Sequence, residues 1–293
     1  MFRFYIAICF CISFVTSYAK SPSDSIVIKR SARSPQKSIL QIPFQSPLNT
    51  DRPSLSDNSY VLPVGGFQHE MGFQINFIQN NPLPNSKTQY TGMLPYNSFR
   101  LGINKRLELR LATALLRDPQ NNQTPYGVSD LEIGFKLQIK ENLAWITHIG
   151  IPNGTNGYSL ETQYLSNKIS GTLPLGKTSV ISNIGMTIFK NPTTQLNQRN
   201  WLSTLVIAHN INLQTFVFSE AFLQYQVSGL GLDRTLVQAP GFDFGVAHKT
   251  STNTQIDLSY GYIKNQPFIN LGLSWGAFKT PTRRIRPLIT PEF

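Results

Sequence analysis

The sequence predicts an all-β chain, an antiparallel transmembrane β-barrel of about twelve strands behind a flexible N-terminal segment. Three observations carry that prediction. Stretches of strict apolar and polar alternation recur between Phe67 and Gly276, and a period of two marks a strand, whose successive side chains point to opposite faces. The chain opens on what reads as an export signal. No run of eighteen or more apolar residues follows it and the mean hydropathy is −0.16, which argues against helical spans. A barrel strand needs only roughly ten residues to cross, with alternate ones apolar.

In the export signal, Met1 and Arg3 form a short basic region, Phe4 to Val15 an apolar core, and Ser17-Tyr18-Ala19 a small-x-small cleavage site, so residues 1–19 are expected to be removed. A retained N-terminal helix is the alternative, but the core is short for a span. The chain's two cysteines, Cys9 and Cys11, both lie inside it. The exported protein is thus expected to lack disulfides and thiolate metal sites, in keeping with a barrel held by a closed hydrogen-bond ladder.

Residues 20–63 are rich in Ser and Pro with little periodicity, and read as a flexible lead-in; the alternative is a plug folded back into the barrel, for which the sequence shows no sign. The barrel itself is placed at 64–278. Phe67 to Gln79 alternates cleanly, with Phe67, His69, Met71, Phe73, Ile75 and Phe77 on one face and Gln68, Glu70, Gly72, Gln74 and Asn76 on the other. Asn80 to Asn85 breaks it. A second strand ends near Phe99 to Ile103 and turns at Asn104-Lys105 into Arg106 to Leu111, where Leu107, Leu109 and Leu111 oppose Arg106, Glu108 and Arg110. After a polar loop, Asp118 to Gly127, Leu131 to Ile139 alternates, and Glu141-Asn142 turns into Leu143 to Ile151. Short turns alternating with longer loops match the two ends of a bacterial outer-membrane barrel.

The middle is noisier. Gln163 to Leu173, Val180 to Phe189, Trp201 to Ile211 and Leu213 to Val227 have strand length, but Ile181 breaks the parity of its segment and Phe216, Phe218 and Phe222 share a face with Glu220. Three clear strands close the chain: Phe242 to His248, Gln255 to Tyr262 and Ile269 to Gly276, the first two flanking Lys249 to Thr254.

Alternation leaves open which face is inside. A soluble sandwich would pack the apolar face inward, whereas a membrane barrel turns it to lipid and lines its lumen with the polar face. For a barrel, the lumen candidates are Glu70, Arg100, Arg106, Glu108, Arg110, Asp130, Glu132, Lys136, Glu220, Asp243 and Asp257. Mixed charges there either pair in a narrow lumen or set a transverse field that orients a solute. Tyr60, Tyr90, Tyr96, Trp145, Tyr164, Trp201, Tyr260, Tyr262 and Trp275 are candidates for the aromatic girdles at the two membrane interfaces.

Without residues 1–19 the formal charge is +10, from 25 basic and 15 acidic residues. Much of the excess lies at the ends, in Lys29, Arg30, Arg33 and Lys37 and in the basic tail 279–293. These tails are either simply solvated or contact lipid phosphates and lipopolysaccharide. Nucleic-acid motifs are absent, and His69, His148, His209 and His248 are scattered, so neither a metal site, a cofactor nor a catalytic serine–histidine pair is expected. On alternation His69 and His248 fall on the apolar face.

The run Tyr60-Val61-Leu62-Pro63-Val64-Gly65-Gly66-Phe67-Gln68-His69-Glu70-Met71-Gly72-Phe73, preceded by Asp51-Arg52-Pro53, resembles the bacterial outer-membrane transporters grouped as "MetA-pathway of phenol degradation". Gly127 to Lys136, Asp257 to Gly261 and Gly272 to Trp275 share in the resemblance. It implies a barrel in the Gram-negative outer membrane, folded by the barrel-assembly machinery, and a transport role. The expected function is passive passage of small solutes, apolar or aromatic ones among them. The alternative is a non-conducting structural or adhesin-like barrel. Such barrels usually stop at the aromatic end of the last strand, whereas here residues rich in Arg and Pro run on to Phe293.

Overall fold

The computed structural model describes residues 48–78, 89–118, 125–228, 235–264 and 266–278. The expected signal segment, most of the lead-in and the basic tail lie outside these residues. The strands are β1 (Phe67–Ile78), β2 (Gln89–Asn104), β3 (Leu107–Arg117), β4 (Tyr126–Val128), β5 (Leu131–Lys140), β6 (Leu143–Ile151), β7 (Tyr164–Leu175), β8 (Thr178–Lys190), β9 (Asn197–Asn210), β10 (Thr215–Ser228), β11 (Thr235–Ser251), β12 (Thr254–Ile263) and β13 (Gln266–Ala277). Each pairs antiparallel with its sequence neighbours, except that the short β4 and β5 share the edge of β3 and act as one stave. β1 pairs with both β2 and β13, from Phe67 opposite Ala277 to Asn76 opposite Phe268, so the sheet closes into a twelve-stave barrel. Closure satisfies every edge, which a span through lipid demands.

Closure also decides which face is inside. Leu101, Leu109, Ile133, Ile149, Leu165, Ile184, Leu205, Ile207, Leu258 and Leu271 point outward and are exposed, while Gln68, Glu70, Arg100, Glu108, Lys136, Ser170, Gln255 and Ser274 are buried inside. That is the polarity of a membrane barrel and the reverse of a soluble sandwich.

The connections split by length. Residues 105–106, 141–142, 176–177, 211–214 and 252–253 make the short turns at one end, where β1 begins and β13 finishes. The longer loops lie at the other, together with the two-residue connection from β12 to β13. Outward aromatics cluster toward both ends. Near the short turns His69 stacks on Phe99 at 4.4 Å and Phe67 meets Trp275 at 5.5 Å, while toward the loops Trp201 stacks on Tyr225 at 5.9 Å and Phe242 on Tyr262 at 5.4 Å. These rings form the two belts expected where bilayer meets water.

Element bounds differ from the sequence reading at several places: β9 and β11 begin earlier, at Asn197 and Thr235, the turn after β9 spans 211–214, and two further turns change. Strand β7 runs through Pro174 and Leu175, because its pairing with β6 stops at Gly171 and a proline beyond that point interrupts no bond on that side. Lys249 belongs to β11, and the turn narrows to Thr252 and Asn253.

Candidate functional site

The lumen is occupied by the chain itself. Residues 48–66 enter at the short-turn end, rise to mid-barrel and return to β1, bonded to the wall at each step. This segment carries few apolar residues, so polar and charged bonds hold it. The Asp51 amide donates to Glu70, the Leu55 amide and the Ser56 hydroxyl to Glu220, the Ser59 amide to Thr172 and the Leu62 amide to Glu108. Ser56 also meets Thr204 hydroxyl to hydroxyl. Asn183 holds both the amide and the carbonyl of Asp57, and Lys249 donates to the Leu48 carbonyl at 3.2 Å. Residues 48–63, assigned to the lead-in on composition, are thus an internal plug: their lack of periodicity reflects a path that follows the wall's donors and acceptors.

Ion pairs anchor the plug to two stretches of the wall. Arg110 donates to Asp51 at 2.7 Å and to Asp57 at 2.9 Å, Lys136 reaches Asp51 at 2.9 Å, and Lys168 reaches Asp57 at 2.5 Å. Arg100, wholly buried, links Asp51, Glu70 and Glu108 at 2.7 to 3.1 Å. On β12 and β13, the strands that follow β1 around the barrel, Arg52 donates to Asp257 at 3.0 Å and to Asn270 at 2.7 Å. Burial alone would raise the Asp57 carboxyl, but Lys168 and Arg110 outweigh it and hold it well below the ordinary carboxylate range. For Asp51 the balance falls the other way: burial outweighs Arg100, Lys136 and Arg110 and raises its carboxyl above the ordinary value.

The eleven sequence candidates divide. Glu70, Arg100, Glu108, Arg110, Lys136, Glu220, Asp243 and Asp257 are buried inside the barrel, and Glu132 faces inward to accept the Tyr164 hydroxyl at 2.9 Å. Arg106 is a correction: it is exposed in the 105–106 turn, outside both strands of the hairpin, so alternation there has no face to assign it to. Asp130, in the gap between β4 and β5, is buried, shares the parity of inward Glu132, and accepts the amides of Gly154 and Leu160, so it orders a loop at that end of the barrel. Three girdle candidates also turn inward: Tyr60 belongs to the plug and Tyr164 bonds Glu132, while Tyr96 shares the parity of inward Ser98 and Arg100. His69 and His248 lie on the outer face as expected: His69 stacks on Phe99 of β2, and His248 shares the outward parity of Phe242 and Phe244 in β11.

Sequence reasoning missed Asp51, Arg52, Asp57, Lys168 and Lys249. Lys168 had a signal, since Ser166, Lys168, Ser170 and Thr172 alternate with Leu165, Ile169 and Leu173; the plug residues had none.

Cations and carboxylates crowd β1 to β7, while on β9 to β11 and β13 Val206, Phe218, Phe222, Ala239 and Phe268 share the inner face with Glu220, Asp243 and Lys249. Between this part of the wall and the plug, at the short-turn end, lies a cavity of about 420 Å3 lined by Ile181, Val206, Phe216, Phe218, Lys249 and plug residues Leu48 to Pro63 among others. Ile181, the residue that broke the outward pattern of β8, faces this cavity.

The fold is that of bacterial outer-membrane barrels. The COG4313 outer membrane channel from Pseudomonas putida F1 superposes with a TM-score of 0.55 at 14% identity, covering 77% of this chain and 99% of that one. The translocator domain of the autotransporter NalP from Neisseria meningitidis gives a TM-score of 0.45 at 10% identity over 73% and 88% of the two chains. The KdgM porin, solved in complex with disordered oligogalacturonate, gives 0.44 at 8% identity over 73% and 99%. No curated protein matches the sequence. The model of the family described as "Putative MetA-pathway of phenol degradation" matches residues 50–267, about three-quarters of the chain, and the protein belongs to that family.

Proposed function

We propose that this protein is a passive outer-membrane channel for small solutes, apolar or aromatic ones among them, with residues 48–66 as a resident plug. The observation that supports it most is the cavity beside the plug. A bore that served only structure would fill with interlocking side chains, as the narrowest barrels do. Here an apolar wall and a polar plug enclose 420 Å3 at the short-turn end, room for a small aromatic molecule. Lipopolysaccharide around the loop end and the barrel-assembly machinery are the partners this reading carries. The test is single-channel recording of the refolded protein in a planar bilayer, after different gel mobility boiled and unboiled has shown that it is folded. Discrete openings support the channel.

One observation favours a second reading, a barrel that stays closed and serves structure or adhesion. The plug is bonded to β1, β2, β3, β5, β7, β8, β9, β10, β12 and β13, more anchorage than a weakly held gate needs. Silence from a folded, heat-modifiable protein would select it.

A further inference from the structure

We propose that Arg100, Arg110, Lys136 and Lys168 form a binding site for a small dicarboxylate, and that the plug carboxylates of Asp51 and Asp57 occupy it as built-in stand-ins for that ligand. The proposal rests on the channel reading for its use in transport, but binding can be measured without it.

Charge balance is the first argument. The four cations come from β2, β3, β5 and β7, and the barrel's own carboxylates pairing with them are Glu70 and Glu108. Glu132 is turned to Tyr164 and pairs with none of the four within 4.0 Å among the described residues. Two positive charges are left over, and the plug supplies two carboxylates. Arg100 and Lys136 are wholly buried and Arg110 nearly so, so the site cannot stand vacant without leaving uncompensated charge out of contact with bulk water. Departure of the plug therefore requires another anion in its place.

Geometry is the second argument. Asp51 is gripped by Arg100, Arg110 and Lys136, and Asp57 by Arg110 and Lys168, so Arg110 bridges the two carboxylates with different nitrogens, Nη2 to Asp51 and Nη1 to Asp57. A planar fork with cations on either side suits two carboxylates on one small scaffold. Phosphate or chloride would meet one half of the site only. The cavity reaches the site through Asp51 and is lined by none of the four cations, so the scaffold would take the space that the plug itself now fills between them.

Ligand and plug then compete, and apparent affinity is lowered by the fraction of molecules in which the plug still fills the site. Neutralising the stand-ins removes the competition and leaves the four cations in place. The probe is phthalate, titrated by calorimetry into the folded full-length protein in detergent, with uncharged dimethyl phthalate as control. We expect the Asp51→Asn, Asp57→Asn double variant to bind phthalate at least ten-fold more tightly than the wild type. The diester should not bind, and adding Lys168→Gln should return the affinity toward wild type. Asp57→Asn alone, which keeps the three-cation grip on Asp51, serves if the double variant fails to show heat-modifiable folding. Equal affinity in wild type and variants, or equal binding of acid and diester, would overturn the proposal. Conductance separates this from the channel: phthalate binding to a silent barrel keeps the site and removes the channel, whereas a conducting barrel blind to phthalate does the reverse.

Discussion

Arg52 reaches Asp257 across 205 positions of sequence, Nη2 to Oδ1 at 3.0 Å, and does so over a floor made of two glycines. Gly72 of β1 and Gly272 of β13 stand directly opposite one another. A methyl group on Gly72 would overlap the Arg52 guanidinium, and one on Gly272 would overlap both Arg52 and the Asp257 carboxylate. The glycines are there for close approach, not for a turn.

Gly272→Ala should therefore displace the Arg52–Asp257 pair and destabilise the protein by about 1–3 kcal/mol, the usual cost of overfilling a packed site. Gly171→Ala is the matched control. Its new methyl would find neighbours no closer than 3.9 Å, so the change should be neutral or slightly stabilising. The temperature at which unboiled gel mobility is lost reads both, and equal shifts for the two would show that Arg52 does not need this space.

Arg110 is the hinge of the plug's charge network. Arg110→Gln leaves Asp51 and Asp57 short of their shared cation, and breaking a buried pair on one side costs about 3–5 kcal/mol. Adding Asp57→Asn should recover part of that loss, because the orphaned charge goes with it. Denaturation of the wild type, the two single variants and the double variant checks this. Strict additivity would mean that Arg110 and Asp57 do not act on each other in the folded protein.

The fold was legible because a membrane barrel writes its inside and outside alternately along each strand, and a one-residue slip would put Arg100 or Lys136 into lipid. Hence β6 lies where alternation put it, from Leu143 to Ile151. Most of the lumen charges were legible for the same reason. The plug was not, since Asp51 to Ser59 take their conformation from Thr172, Asn183, Thr204 and Glu220, residues more than a hundred positions away, and no local period records such partners. The noise in the middle strands has a cause too. Ile181, Phe216, Phe218 and Phe222 are apolar residues facing inward, so apolar groups occupy both faces there.

Acid should loosen the plug, and the sign follows from Asp57. Its folded-state carboxyl lies well below the ordinary value of 3.8, held down by Lys168 and Arg110 against the effect of burial. A depressed carboxylate contributes stability that is fully present above its unfolded value and is lost as pH falls through the folded one. Asp51 shifts the other way, raised because burial outweighs its three cations, so its own contact does not weaken on protonation; it is the Asp57 part of the plug that should stay docked from neutral pH down to about pH 4 and loosen below it. Pepsin, active in that window, reads exposure of residues 48–62. Cleavage should rise steeply below pH 4 in the wild type and show a much flatter pH profile in Asp57→Asn. Cleavage already complete at pH 5 would contradict this assignment.

Whether the plug is a gate can be decided by fixing it in place. Ser56 and Thr204 touch through their hydroxyls where the plug meets β9, and both are buried, so a cysteine at each position lies within reach of disulfide formation. The background should carry serine at Cys9 and Cys11, which leaves the engineered pair as the sole thiols. If solutes pass only when the plug leaves, the oxidised Ser56→Cys, Thr204→Cys protein is silent in a planar bilayer and reduction restores wild-type openings. Reduction acts on nothing else in that chain, so the comparison is made within one preparation and does not depend on how well two variants fold. Openings of unchanged size after full oxidation would mean that solutes pass beside a permanent plug, and the path would then run along Val206, Phe216 and Phe218, the apolar wall of the cavity.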